Sequence, residues 1–157
     1  MNLWRIAAET RSYSADDLSG AGAADHPGRW NDFGERVVYC AQTIAMAVLE
    51  TAAHIDDTGL PLNRFLVRID LTDEIWAQRE ELLPTNLRAN WSAVPAGRAS
   101  VRVGSDWLRS RQSVVLLVPS VIVPEESIAL INPRHADAAK VSAQVVRRFD
   151  YNALFRS

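Results

Sequence analysis

Glu50 is the residue of this 157-residue chain whose setting first suggests chemistry, because it stands inside the largely apolar run Ile44–His54. At helical spacing it follows Met46 by one turn and precedes His54 by one turn, so it lies on a face flanked by apolar side chains. A carboxylate there is either a helix-edge group facing water or a group held for use, and its company argues for use. Arg29, Trp30 and Asn31 come from a glycine-bearing loop just upstream, Tyr39 sits mid-strand before the helix, and Arg5 lies in the apolar opening segment. Guanidinium groups grip a pyrophosphate bidentately, an aromatic face suits a nicotinamide or adenine ring, and a carboxylate binds ribose hydroxyls and stabilises a cationic sugar. Together they fit cleavage of a dinucleotide's glycosidic bond through an oxocarbenium-like state. Plainer roles exist for each: surface ion pairs for Arg5 and Arg29, core for Tyr39, a loop anchor for Trp30.

Other chemistries find less support. His26, His54 and His135 are scattered singly and Cys40 is the sole cysteine, so no metal spacing and no intrachain disulfide is suggested. Neither G-x-G-x-x-G nor the P-loop pattern occurs, which sets aside the dinucleotide-fold and P-loop enzymes. Ser19 and Ser120 are generic candidates for a hydrolase nucleophile, without a nucleophile-elbow signature around them.

The chain's size suits one domain over residues 1–157, and its 48% hydrophobic and 23% charged composition is globular. A net charge of -2 offers no electrostatic excess for holding a nucleic acid. Lys140 is the only lysine among 17 basic residues, a bias that codon usage explains as readily as function. The apolar runs, such as Ile44–Leu49 and Val114–Pro119, are far shorter than the roughly 18 residues of a membrane span. With one cysteine and an opening that does not read as a leader, the expected location is the cytoplasm.

Elements able to position these residues can be read in order. Leu3–Ala7 reads as a strand, and Thr10–Glu35 as a long functional loop ordered by Trp30 and Phe33. Val37–Ala41 reads as a buried strand, after which Thr43 caps a helix over Ile44–Ile55. Arg64–Leu71 alternates as a strand, although Leu66 and Leu71 break the pattern. Thr72 is placed to cap a short helix with Ile75 and Trp76, and Val101–Arg111 suits a helix. Ser113–Val123 suggests two strand pieces broken at Pro119, with last strands at Ile128–Ile131 and Val141–Phe149. Many strands with little helix between them predict an α+β fold with a mixed, largely antiparallel sheet. The aromatic tail Phe149–Arg156 is expected to pack on the domain, and Glu125–Glu126 to be a solvated loop.

In this order and spacing, certain segments resemble the RES-domain toxins of bacterial toxin–antitoxin pairs over nearly the whole chain. They are Leu3–Ile6, Asp17–Gly20, Gly28–Asn31, Val37–Tyr39, Leu49–Glu50, Val118–Ser120 and Asn132–His135. The resemblance implies the family's arginine, glutamate and serine at Arg29, Glu50 and Ser120, with Arg5 and Tyr39 as further pocket residues. It implies a fold similar to ADP-ribosyltransferases and an activity that uses NAD as substrate with no cofactor. Glu50, Arg29 and Ser120 are then catalytic, and Arg5, Arg29, Tyr39 and Ser120 bind NAD. Hydrolysis or phosphorolysis of the nicotinamide–ribose bond is the expected reaction; protein ADP-ribosylation, or a catalytically silent partner of a DNA-binding antitoxin, are the alternatives. Arginine-directed transferases carry Glu-x-Glu, whereas Val48 stands two before Glu50 here. Pro27 also replaces a more usual glycine before Gly28. The implied partner is an Xre-type antitoxin that carries the DNA-binding role, with a toxin homodimer in the complex.

Overall fold

The computed structural model describes residues 1–155. Its strands are β1 (Asn2–Ala8), β2 (Val38–Ala41), β3 (Arg64–Asp70), β4 (Glu80–Glu81), β5 (Val115–Pro119), β6 (Ser127–Ile131) and β7 (Ser142–Phe149). Between them come the helices α1 (Ala21–Asp25), α2 (Ile44–Ala52), α3 (Asp73–Ala77) and α4 (Arg98–Ser110). The strands form one seven-stranded sheet in the order β4-β5-β6-β2-β1-β3-β7. Only β4 and β5 run parallel, so the sheet is mixed and largely antiparallel, as the element order predicted. A single register pair, Trp4 with Ala41, joins β1 to β2, whereas β1 and β3 are paired along their full lengths.

Both faces of the sheet are covered. One carries Leu3, Ala7, Val38, Cys40, Val67 and Ile69, and the other Ile6, Ala41, Leu66, Val118 and Leu130 with Trp30, Met46 and Trp107. This two-sided burial is why β3 does not alternate cleanly: Leu66 faces one apolar layer while Val67 and Ile69 face the other. Strands of this kind carry apolar residues at consecutive positions. Cys40 lies in the first layer, its Sγ donating to the Ala129 carbonyl, and burial pushes the thiol up to about 12.

The helices start where their caps place them. Thr43 accepts a hydrogen bond from the Met46 amide at 3.1 Å and opens α2; Thr72 accepts one from the Ile75 amide at 3.2 Å and opens α3. The regular part of α2 stops at Ala52, short of Ile55, because the amides of His54 and Ile55 turn to the carbonyls three residues back. The segment Thr10–Glu35 contains the five-residue α1 but is otherwise irregular. Trp30 anchors it at 1% exposure, whereas Phe33, expected to share that task, is 74% exposed. Val121–Val123 corrects the expectation of two strand pieces, since only Val115–Pro119 is a strand and a tight turn follows. Of the tail, Tyr151 is buried, edge-on to Phe149, and its hydroxyl donates to Thr51 Oγ1 at 2.8 Å. Leu154 and Phe155 are exposed, and Arg156 lies outside the described residues.

Gly104 sets how closely α4 approaches the long loop. A Cβ at this position would sit 1.6 Å from the Trp30 carbonyl oxygen. No side chain fits there without moving the loop backbone. Gly104→Ala is expected to destabilise the protein by at least about 1–3 kcal/mol, the usual range for overpacking, read as a lower urea midpoint at an unchanged slope.

Candidate active site

Ser120 is the first residue after β5, and its hydroxyl explains the turn. Ser120 Oγ accepts hydrogen bonds from the amides of Ile122 and Val123, each at 3.1 Å. Those two N–H groups are therefore not free to join a sheet, which is why residues with strand-like composition form no strand. The Ser120 amide donates to the Glu126 carbonyl at 2.9 Å, closing the loop between β5 and β6. With its acceptor side engaged in this way, the buried hydroxyl donates its own proton to Glu50 Oε1 in a short hydrogen bond. One Glu50 oxygen is thus oriented by a rigid partner.

Arg29 and Tyr39 complete the group. Arg29 is half-buried, and its Nη1 donates to the carbonyls of Trp91 and Ala93 at 3.0 and 2.7 Å. Burial lowers the pKa of its guanidinium from the ordinary arginine value, while the nearby Glu50 and Tyr39 raise it. A guanidinium has five donors, so the two carbonyls leave its Nη2 and Nε side for a ligand. The Tyr39 hydroxyl faces inward, donating to Asn31 Oδ1 at 2.7 Å and accepting from the Trp30 amide at 3.0 Å. Burial pushes this phenol's pKa up, which keeps it protonated. Gly28 packs so tightly on the ring that a Cβ would lie 2.7 Å from the hydroxyl oxygen.

Asn31 holds these parts in place, and sequence reasoning gave it no role. Its side chain accepts from the Gly28 amide and the Tyr39 hydroxyl and donates to the carbonyls of Ala23, Asp32 and Glu35. It is 1% exposed. Arg29 and Trp30 are therefore held between an Asn31–Tyr39 clamp and α4, where Ser100 Oγ donates to the Arg29 carbonyl at 2.9 Å. Trp30 also stacks on Trp91, with ring centres 6.0 Å apart, on the segment whose carbonyls Arg29 grips. The one sequence signal for Asn31 was its place directly after an aromatic in a glycine-bearing loop.

Arg5 is not part of this group. Strand alternation puts it with Leu3, Ala7 and Cys40, on the face opposite Ile6, Tyr39 and Ala41. The charges acting on its guanidinium are those of Cys40, Asp17 and Tyr13; burial lowers its pKa, and its Nε has no hydrogen-bond partner among the described residues. The expectation that Arg5 shares a ligand with Arg29 is corrected on this geometry. The clefts of about 260 and 230 Å³ at Arg134 and Trp91 are lined by neither Glu50 nor Ser120.

The family model described as the RES domain matches residues 2–153. This chain belongs to the RES-domain family. It is 52% identical over 151 residues to the "Prs ADP-ribosylating toxin" of Sphingobium sp. (strain YBL2), covering 96% of this chain and 94% of that one. It is also 38% identical over 135 residues to "Toxin Res" of Yersinia enterocolitica, covering 86% of each. Among solved structures, the M. tuberculosis MbcT–MbcA toxin–antitoxin complex holds a chain of the same fold, with a TM-score of 0.67 and 18% identity over 93% of this chain and 84% of that one.

In this RES domain the Tyr39 hydroxyl is a structural tie. Tyr39→Phe removes the partner of the Trp30 amide and one of two donors to Asn31 Oδ1. Leaving a buried amide unpaired costs about 1–3 kcal/mol. The expected result is a loss of stability in that range, with faster hydrogen exchange at the Trp30 amide than in the wild type.

Proposed function

We propose that this RES domain is a toxin that consumes NAD by breaking its nicotinamide–ribose bond, and that an antitoxin partner restrains it. The observation that carries the reading is the Glu50 carboxylate, oriented by the Ser120 hydroxyl and within the electrostatic reach of Arg29. A carboxylate fixed in this way can accept hydrogen bonds from the nicotinamide-ribose hydroxyls and stabilise the cationic sugar as nicotinamide departs. Arg29, through its uncommitted donors, would hold the pyrophosphate. Tyr39 would offer its ring beside the nicotinamide while its hydroxyl stays tied to the loop. Ser120 acts through Glu50 by fixing one oxygen.

The relatives support the same reading, one being named an ADP-ribosylating toxin and another Toxin Res. The partner the reading expects is an Xre-type antitoxin, with two toxin chains in the assembly and action in the cytoplasm, where NAD is abundant. No helix among the described residues is long and apolar enough to cross a membrane.

The acceptor divides two forms of this reading. Water or phosphate fits Val48, which stands two before Glu50 where arginine-directed transferases carry a second carboxylate. Transfer to a protein is favoured by the name of the 52% identical relative. Incubating the purified chain with NAD, with and without phosphate and with and without cell extract, separates them. ADP-ribose in all buffers means hydrolysis, a phosphorylated sugar means phosphorolysis, and label on an extract protein means transfer. No nicotinamide release under any condition overturns the reading in favour of a silent partner.

Two variants test the roles. Glu50→Ala should lower nicotinamide release by about a hundredfold or more while leaving the fold intact, as loss of a transition-state stabiliser does. Arg29→Ala should raise KM more than it lowers kcat, the pattern of a group that mainly binds. Unchanged KM in a folded Arg29→Ala protein would remove the pyrophosphate role.

A further inference from the structure

Arginines from three separate segments converge on a cleft at the opposite end of the sheet from Ser120. Arg36 leads into β2, Arg134 follows β6, and Arg109 and Arg111 come from the end of α4; together they line an opening of about 260 Å³. The register of β5 on β6 pairs Val115 with Ile131 and Pro119 with Ser127. The cleft beyond Ile131 is therefore separated from Ser120 by the length of β5, roughly 15 Å at the usual rise per residue.

Charge balance within the cleft is unusual for a chain of net charge -2. Glu35 is its only acidic lining residue, and its Oε1 already accepts from the Asp32 amide and the Ser105 hydroxyl. Arg109 has an exposed ion pair with Asp106 on its own helix, the kind that contributes little. Arg36 donates to the Ser19 carbonyl through Nη1. Among the described residues, the side chains of Arg111 and Arg134 have neither a hydrogen-bond nor an ion-pair partner. All four arginines are exposed, so the cleft presents an excess of positive charge to solvent that an anion would neutralise.

The floor that carries them is rigid. Asn132 is buried, donates through Nδ2 to the Leu108 carbonyl at 3.0 Å and accepts the Arg134 amide at Oδ1 at 3.0 Å. Its own amide donates to the Val114 carbonyl at 2.9 Å. One side chain thus locks the end of α4 to the start of the Arg134 turn. Arg111 closes α4 at φ 51°, the left-handed conformation that glycine usually takes at a helix end. An arginine stands at this position despite the steric cost to a residue with a Cβ.

We propose that this cleft is a binding site for a compact polyanion carrying two or more phosphate groups. The planar forks of several guanidiniums match phosphate oxygens two at a time. No aromatic residue lines the cleft, so nothing there would stack a base, and its one large apolar residue, Leu108, is buried in the floor. Protein interfaces are usually built around a more apolar centre, and this cleft exposes none. The recognition element is the phosphate chain alone, whether it belongs to an inorganic polyphosphate or to the tail of a nucleotide.

Calorimetric titration of the purified chain in phosphate-free buffer tests this, with inorganic tripolyphosphate, ATP and inorganic phosphate at matched ionic strength. Tripolyphosphate should bind one saturable site, ATP comparably, and single phosphate far more weakly. The double variant Arg111→Ala/Arg134→Ala should weaken tripolyphosphate binding by about tenfold for each charge-assisted hydrogen bond it removes. Arg147→Ala/Arg148→Ala on β7 removes the same charge elsewhere and should leave the affinity unchanged. Absence of saturable binding, equal weakening by both double variants, or loss of binding in folded Arg29→Ala would overturn the proposal. The last outcome would assign the phosphate chain to the Glu50 site instead.

Discussion

The side-chain amide of Asn31 is the constraint on which the rest of the candidate site depends. A buried primary amide must find partners for two donors and an acceptor, and Asn31 finds them on Gly28, Tyr39, Ala23, Asp32 and Glu35. Because those partners come from α1, from the loop on either side of Arg29 and from β2, satisfying one side chain fixes the path of a segment with little regular structure. Arg29 then reaches the Trp91 and Ala93 carbonyls and draws in the segment before α4. The long loop is ordered by two adjacent buried side chains, the polar Asn31 and the apolar Trp30, in place of a repeating backbone ladder.

A second group, the Ser120 hydroxyl, plays the matching part for the carboxylate. Ser120 uses its lone pairs to shape its own turn and its proton to orient Glu50, so the turn and the carboxylate are coupled through one atom. The site is thereby assembled from two rigid halves, a loop clamped by Asn31 and a turn clamped by Ser120, with α2 carrying Glu50 between them. Pre-organisation of this kind is what electrostatic stabilisation of a transient cation requires.

The strand, cap and helix from Val37 through Glu50 were legible in the sequence because each signal there is local: β-branched residues, then a threonine cap, then apolar residues at helical spacing. The α4 helix and the caps of α2 and α3 were legible for the same reason. What escaped was decided by groups distant in sequence or by side-chain chemistry that composition does not record. Val121–Val123 has a strand's composition, but the neighbouring hydroxyl claims two of its amides. Arg5 sits in the expected strand, yet which face it takes depends on the register of β1 against β2, and that register is invisible until the pairing of Trp4 with Ala41 is known. Asn31 looks like any loop asparagine until burial forces its amide to be satisfied. Ser120 was one serine among many by residue type, and only the family resemblance singled it out.

The pairing pattern of β3 has a consequence for how the molecule comes into being. This strand is flanked on one side by β1, which precedes every residue of the candidate site, and on the other by β7, which follows them all. β7 is therefore synthesised after Arg29, Glu50 and Ser120 have all been made. Loops this long must close before their pairings stabilise anything, so the topology folds late and cooperatively. A nascent chain thus carries Arg29, Glu50 and Ser120 before β3 has its second strand partner.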